Sequence, residues 1–290
     1  MAQSLGRRIL RWAAWSLAGV AAIAVIAALV IYVGSERVLR RTYPGITGHP
    51  VALPHDSLSL SEGKRLTRVY GCGPGCHGQR SEGEVLFDEP MVARLVAPNL
   101  TRAIPQYSDP ELERIIRHGV RPTERSLLVM PSQSLAGLSD TSLAMILAYL
   151  RTLPLLEGPG PLLALGPLGR LGLVTGQFKT AAMLIPQGAP APPAVPPTDS
   201  LALGRYLAHT VCAECHGTDL KGDPTMGSVS LAVVSGYSAA EFARLLQTGV
   251  PKGDRKLGLM GQAARGRFVA LTPVEVAALH AYLHPYPGPT

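Results

Sequence analysis

The chain has 290 residues, of which 47% are hydrophobic and 16% are charged, which excludes a disordered chain of low hydrophobicity and high net charge. Its formal net charge is +7, but residues 1–41 contribute +5 of it, and the rest of the chain has no basic stripe and no run of like charges. We therefore expect no nucleic-acid partner. The length accommodates an anchor and two domains of roughly 100 residues each.

The first predicted element is an apolar helix over residues 12–33, which form a run of 22 residues without a charge. At about 1.5 Å per residue this run spans about 33 Å, enough to cross a hydrocarbon core of about 30 Å. A cleavable signal peptide has a shorter apolar region of roughly 7–15 residues, so the length favours an uncleaved anchor. Three arginines precede the run and three follow it, so the charges leave its orientation open. We predict an anchor over residues 1–41 and a tether rich in proline and glycine over residues 42–57.

The four cysteines form two close pairs, and a histidine follows each pair at once. This pattern is typical of a c-type haem attachment site. The two sulfurs form thioethers with the haem vinyl groups, and the adjoining histidine is then held beneath the iron as its proximal ligand. The sequence therefore predicts two covalently bound haem c groups, held by Cys72, Cys76 and His77 and by Cys212, Cys215 and His216.

The first pair has three residues between its cysteines where the second has the usual two. Glycine adopts backbone angles that other residues avoid, so the loop over residues 73–75, Gly-Pro-Gly, can absorb the extra residue. Two alternatives compete with haem: one zinc site made of all four cysteines, or disulfides or redox dithiols. Zinc does not explain the two histidines, and a thioredoxin-like dithiol needs a βαβ context that the sequence lacks. Haem is the favoured interpretation.

An internal repeat extends beyond the cysteines and singles out two methionines. Several matches share an offset of 130 residues, and matches near the end of each half share an offset of 133. The matched pairs include Tyr107 and Tyr237, Gly119 and Gly249, Met130 and Met260, Leu138 and Leu271, and Tyr149 and Tyr282. The two motif histidines differ by 139 positions, so the first half has nine extra residues after its haem motif. A long repeat indicates duplicated domains, and a methionine is a common second axial ligand of haem iron. We predict this role for Met130 and Met260.

The remaining pattern is helical. Apolar residues share one face of a helix predicted over residues 140–152, and no run of alternating strands is present, so we predict an all-α fold. Gly63 and Gly204 each precede a haem motif, where a glycine would let the closing helix with Tyr149 or Tyr282 approach closely. Four capping boxes mark predicted helix starts, at Ser59, Ser108, Ser238 and Thr272.

Each half resembles a class I, mitochondrial-type cytochrome c domain in the order of its elements: leading helix, haem motif, loop, mid-chain helix ending in Gly-Val, methionine and closing Ala-Tyr-Leu helix. The resemblance covers a first half, residues 58–154, and a second half, residues 198–287, joined by a connector over residues 155–197. In the first half, residues 97–100 (Ala-Pro-Asn-Leu) resemble the family's segment beside the proximal histidine. The resemblance implies haem attachment outside the cytoplasm, so we expect a single-pass protein of a bacterial inner membrane, with its haem domains in the periplasm.

We therefore expect a carrier that moves electrons between a redox donor and a redox acceptor, and not an enzyme in its own right. A haem subunit of a larger respiratory, dehydrogenase or oxidase complex is one alternative, and a dihaem peroxidase-like enzyme with one open iron is another. The apolar start of the connector, residues 155–176, is expected to pack across both halves, with a surface for a partner subunit as the alternative.

Overall fold

Helices make up most of the chain, which a computed structural model describes over residues 2–186 and 192–286. The α-helices in these ranges are α1 Ala2–Arg40, α2 Ser57–Val69, α3 Leu100–Ala103, α4 Asp109–His118, α5 Ser132–Leu135, α6 Asp140–Arg151, α7 Pro167–Val174, α8 Ala181–Leu184, α9 Ser200–Leu207, α10 Ala213–His216, α11 Ala239–Thr248, α12 Leu259–Gly266 and α13 Pro273–Leu283. Short 3₁₀ helices span Ile104–Gln106, Leu231–Gly236 and Phe268–Ala270, and a π-helical turn spans Ala208–Cys212.

Helix α1 includes the whole apolar run predicted from the sequence. Within the described residues it is the one helix long and apolar enough to cross a membrane, and none of its apolar stretch is buried against the protein. A helix with such a surface is more stable in lipid than in water, because burial of apolar surface is favourable.

In each half the leading helix packs against the closing helix. These pairs are α2 with α6 in the first half and α9 with α13 in the second. Each pair crosses at a glycine of its leading helix. A Cβ placed on Gly63 would lie 2.0 Å from the carbonyl oxygen of Met145, and one placed on Gly204 would lie 2.1 Å from that of Ala278. The predicted close approach is therefore confirmed in both halves.

Three of the four predicted capping boxes are present, at Ser108, Ser238 and Thr272. The fourth prediction was wrong, because α2 begins two residues before Ser59. Asp56 is its N-cap and accepts a hydrogen bond from the backbone nitrogen of Ser59 at 2.9 Å. Aspartate and serine are both good caps, so the sequence pattern alone does not choose between them.

The cap of α11 provides a first test of the local structure. The hydroxyl of Ser238 accepts from the backbone nitrogen of Glu241, and that carboxylate accepts from the backbone nitrogen of Ser238. Replacing Ser238 with alanine is expected to lower the free energy of unfolding by about 1 kcal/mol. Replacing it with threonine, which keeps the capping oxygen, should cost less. Denaturant midpoints measure the difference, and equal midpoints for the two variants would show that the cap contributes nothing.

The expectation of an all-α fold needs a correction, because a small antiparallel sheet is present. Its strands are β1 Glu84–Glu89, β2 Ala93–Ala97 and β3 Leu162–Leu165, in the order β1-β2-β3. The first two strands form a hairpin in the part of the first half that has the nine extra residues. An isolated hairpin is marginal in water, and β3, which comes from the connector, adds the third strand. The leucine-rich sequence of β3 has no alternating pattern, so the pairing was not foreseen.

The connector packs mainly on the first half and on α1, and not across both halves as expected. Strand β3 pairs with β2, and α7 lies against the end of α1. Arg170 of α7 contacts Glu36 at 2.9 Å and the hydroxyl of Ser35 at 2.8 Å, and its guanidinium lies 4.4 Å from the ring centroid of Tyr32. Part of the proline-rich stretch that follows lies outside the described residues, as does residue 287.

The two halves share one continuous hydrophobic core and several polar contacts. Arg65 of α2 pairs with Glu275 of α13, with Nη1 and Oε2 2.7 Å apart, and the buried hydroxyls of Tyr70 and Thr210 lie 3.3 Å apart. The two halves therefore pack directly against each other.

Candidate haem-binding sites

The first haem motif follows α2 in an irregular loop. The backbone nitrogen of Cys72 donates to Thr67 O at 2.9 Å, and that of His77 donates to Gly73 O at 3.1 Å. Gly75 has a φ of +118°, a conformation that a residue with a Cβ rarely adopts. The glycine-rich loop thus accommodates the third intervening residue, as the sequence predicts.

The second motif lies on a helix. Helix α9 continues through the π-helical turn Ala208–Cys212 into α10, which carries Cys215 and His216. A π-helical turn inserts an extra residue into a helix and often marks a functional site. The two motifs therefore present the same three side chains from different backbone structures.

Each motif histidine is held by a backbone carbonyl. Nδ1 of His77 lies 2.9 Å from Pro98 O, and Nδ1 of His216 lies 2.7 Å from Val229 O. A carbonyl only accepts, so Nδ1 is the donor in both rings and Nε2 keeps its lone pair. Burial lowers the pKa of both imidazoles below the usual value, which favours the neutral form that binds a metal. This arrangement is typical of a metal-binding histidine, whose second nitrogen is fixed by a hydrogen bond.

Pro98 lies in the segment that the resemblance placed beside the proximal histidine, and its carbonyl is the partner of His77. Val229 fills the same role in the second half, where sequence reasoning found no counterpart. Its contribution is a backbone oxygen, which any residue type can supply, so no side-chain signal could have found it.

The four cysteines are free thiols, and their surroundings do not suit a redox dithiol. Burial raises the pKa of Cys72 and Cys212 to about 12 and that of Cys76 and Cys215 to about 11. A reactive dithiol needs a lowered pKa, because the thiolate is the nucleophile. Across the described ranges, no three or more His, Cys, Asp or Glu side chains converge to hold a metal ion, as a four-cysteine zinc site would require.

Met130 and Met260 occupy corresponding places in the two halves. Met130 lies directly before Pro131 and α5, and Met260 is the second residue of α12; both are half-buried and pack against the core. Among the other methionines in the described residues, Met145 lies inside α6, and three are exposed: Met91, Met183 and Met226. The assignment of Met130 and Met260 as iron ligands stays a prediction.

The side chains present fit covalently attached haem. Each motif supplies two half-buried thiols for thioether formation and one neutral imidazole with a free Nε2. Residues 201–285, which include the second motif and Met260, match the family model Cytochrome c. This part of the chain is a cytochrome c domain. Such a domain holds a covalent haem c, binds iron and transports electrons.

One curated relative aligns with most of the chain. It is described as "Fructose dehydrogenase cytochrome subunit", from Gluconobacter japonicus, and is 24% identical over 260 residues. The alignment covers 79% of this chain and 53% of the relative. The chain thus spans about half the length of the curated relative that it matches. The aligned part of the chain is longer than residues 155–290, so it includes part of the first half.

Proposed function

We propose that the protein transfers electrons through two covalently bound haem c groups, one in each half, outside a bacterial inner membrane to which α1 anchors it. One observation carries the proposal: each half has a Cys-Cys-His motif whose histidine donates Nδ1–H to a backbone carbonyl. Metal-binding histidines are oriented by such a hydrogen bond. Its presence at both motif histidines favours metal binding over a role in core packing. On this proposal residues 58–154 form a second cytochrome c domain beside the domain of residues 198–287.

The side chains would divide the work in each half as follows. The cysteine sulfurs would tether the haem, and Nε2 of the histidine and the methionine sulfur would be the protein ligands of its iron. A bound haem supplies one-electron oxidation and reduction, with no other co-reactant. Methionine ligation raises the reduction potential, and a doubly ligated iron leaves no position for a substrate. The predicted ligands therefore fit an electron carrier and not an enzyme that makes or breaks bonds in a substrate.

The partner that we propose is a dehydrogenase. The aligned relative is described as the cytochrome subunit of such an enzyme, and the alignment extends beyond the second half. In this role the chain would accept electrons from a catalytic subunit and pass them to an acceptor at the membrane. The helix α1 would keep the haem domains close to a membrane acceptor. Gentle purification of the full chain from its native membrane should bring down a subunit with dehydrogenase activity.

The number of haems tests the central proposal. The intact, denatured protein is expected to carry the mass of two haems, because thioether links survive denaturation. The variant Cys72→Ser/Cys76→Ser should lose one haem, and Cys212→Ser/Cys215→Ser should lose the other. Mass spectrometry and the pyridine haemochrome spectrum measure both losses. A wild-type chain with one haem, absent from the second variant alone, would show that the first half binds none.

A further inference from the structure

A buried arginine of the second half lies between the two haem motifs. Arg267 is 6% exposed. Its Nη2 lies 2.7 Å from Oε2 of Glu214, which stands between the two cysteines of the second motif. Its Nε donates to Val69 O of the first half at 3.1 Å, just before the first motif. One guanidinium therefore binds elements of both haem-attachment regions.

The unusual first motif provides the space for this side chain. A Cβ on Gly75 would lie 2.8 Å from Cδ of Arg267, and a Cβ on Gly71 would lie 3.1 Å from its Cζ. Gly75 and Glu214 each directly precede the second cysteine of their motif. The longer, glycine-rich loop of the first half thus leaves open space at the position where the second half has the Glu214 carboxylate. The Arg267 side chain occupies that space and pairs with Glu214.

The contact is asymmetric although the two halves are repeats. Under the offset of 133 that relates the closing helices, Arg267 corresponds to Ser134 of α5, which packs near α10 and its haem motif. Ser134 is buried, and its hydroxyl has no hydrogen-bond partner among the described residues. Each half therefore presents equivalent positions to the other's haem motif, but only Arg267 forms a charged bridge.

We infer that Arg267 and Glu214 form a positioning pair that holds the two haem-attachment regions against each other and sets the geometry for electron transfer between the haems. The inference rests on the proposed function. Loss of Glu214 would leave the charge of the buried Arg267 unpaired in a low-dielectric site, so the pair favours the arrangement in which both partners meet. The step that the pair serves moves one electron from one iron to the other, with no proton transferred and no bond made or broken. The rate of this step falls steeply with the separation of the haems, so a fixed contact between the two haem-attachment regions matters.

Circular dichroism in the Soret band tests the inference in the full-length, haem-loaded protein. Two haems held close together in a fixed orientation couple and give a bisignate signal. We expect this couplet in the wild type and loss of most of it in Arg267→Gln and Glu214→Gln, with both haems still attached. The separation between the two reduction potentials should change in the same variants. The double variant should lose no more than either single variant, because the two residues act through one contact.

The matched control is Arg65→Gln, which removes another ion pair between the halves, one in which no residue of either haem motif takes part. It should lower stability and leave the couplet intact. If Arg267→Gln does not accumulate with two haems, Glu214→Gln gives the same comparison, because it removes the same ion pair without changing the arginine. A wild type without a couplet, a full couplet in a two-haem variant of the pair, or an equal loss in Arg65→Gln would overturn the inference. A wild-type chain with a single haem would overturn the proposed function instead.

Discussion

Replacing Met260 with alanine is expected to open the iron of the second half to carbon monoxide, and replacing Met130 should do the same in the first half. If the proposed ligands are correct, the reduced wild-type protein should show a c-type spectrum that carbon monoxide does not change, because both irons would have two protein ligands. Each variant should bind carbon monoxide at one haem and should have one lowered reduction potential. Axial ligands shift haem potentials over a range of roughly 0.8 V, so the effect is among the largest a single side chain can produce here.

The matched control is Met145→Ala. Met145 lies inside α6 near the helix crossing, where its loss should reduce stability without exposing an iron. Carbon monoxide difference spectra and a spectroelectrochemical titration distinguish the variants. Carbon monoxide binding by the wild type would mean that one iron is already open, and the dihaem peroxidase-like alternative would then be favoured. An unchanged spectrum in Met260→Ala would mean that another side chain is the ligand.

Features that depend on short-range patterns could be predicted from the sequence. The capping boxes at Ser108, Ser238 and Thr272 are present because the chemistry lies within four residues. The role of Gly63 and Gly204 could be predicted from their matched positions before the haem motifs, since only a residue without a side chain permits that approach. The start of α2 was missed because Asp56 and Ser59 are both suitable caps.

Long-range contacts that leave no repeated sequence position could not be predicted in this way. Strand β3 forms because the connector returns to β2 from about seventy positions further along the chain, and its own sequence carries no strand pattern. The same limit applies around the candidate sites. Pro98 belongs to a recognisable segment, but Val229 contributes only a backbone carbonyl. The contact of Arg267 with the first half depends on how the two halves pack together.

Gly204→Ala should be the most destabilising single methyl group that can be added to the second half. The new Cβ would lie 2.1 Å from Ala278 O and 2.7 Å from Cβ of Tyr282, so both nearest neighbours belong to the α13 helix and neither can move aside alone. The two helices would have to separate, and the core that they share would open. We expect a loss of about 3 kcal/mol in the free energy of unfolding, the upper part of the range for overpacked cores.

The control is Gly266→Ala, at the end of α12, where a Cβ would meet no atom within 4 Å. Alanine is the better helix former by up to about 1 kcal/mol, so this variant should match or exceed the wild type in stability. Denaturant unfolding followed by haem absorbance compares the two, and equal midpoints would show that α9 and α13 do not cross as closely as the contact requires. Gly63→Ala should repeat the loss in the first half, because its Cβ would meet Met145 O at 2.0 Å. The same loss of stability at both positions would mean that the leading and closing helices cross in the same way in each half. Two copies of one domain would have this in common.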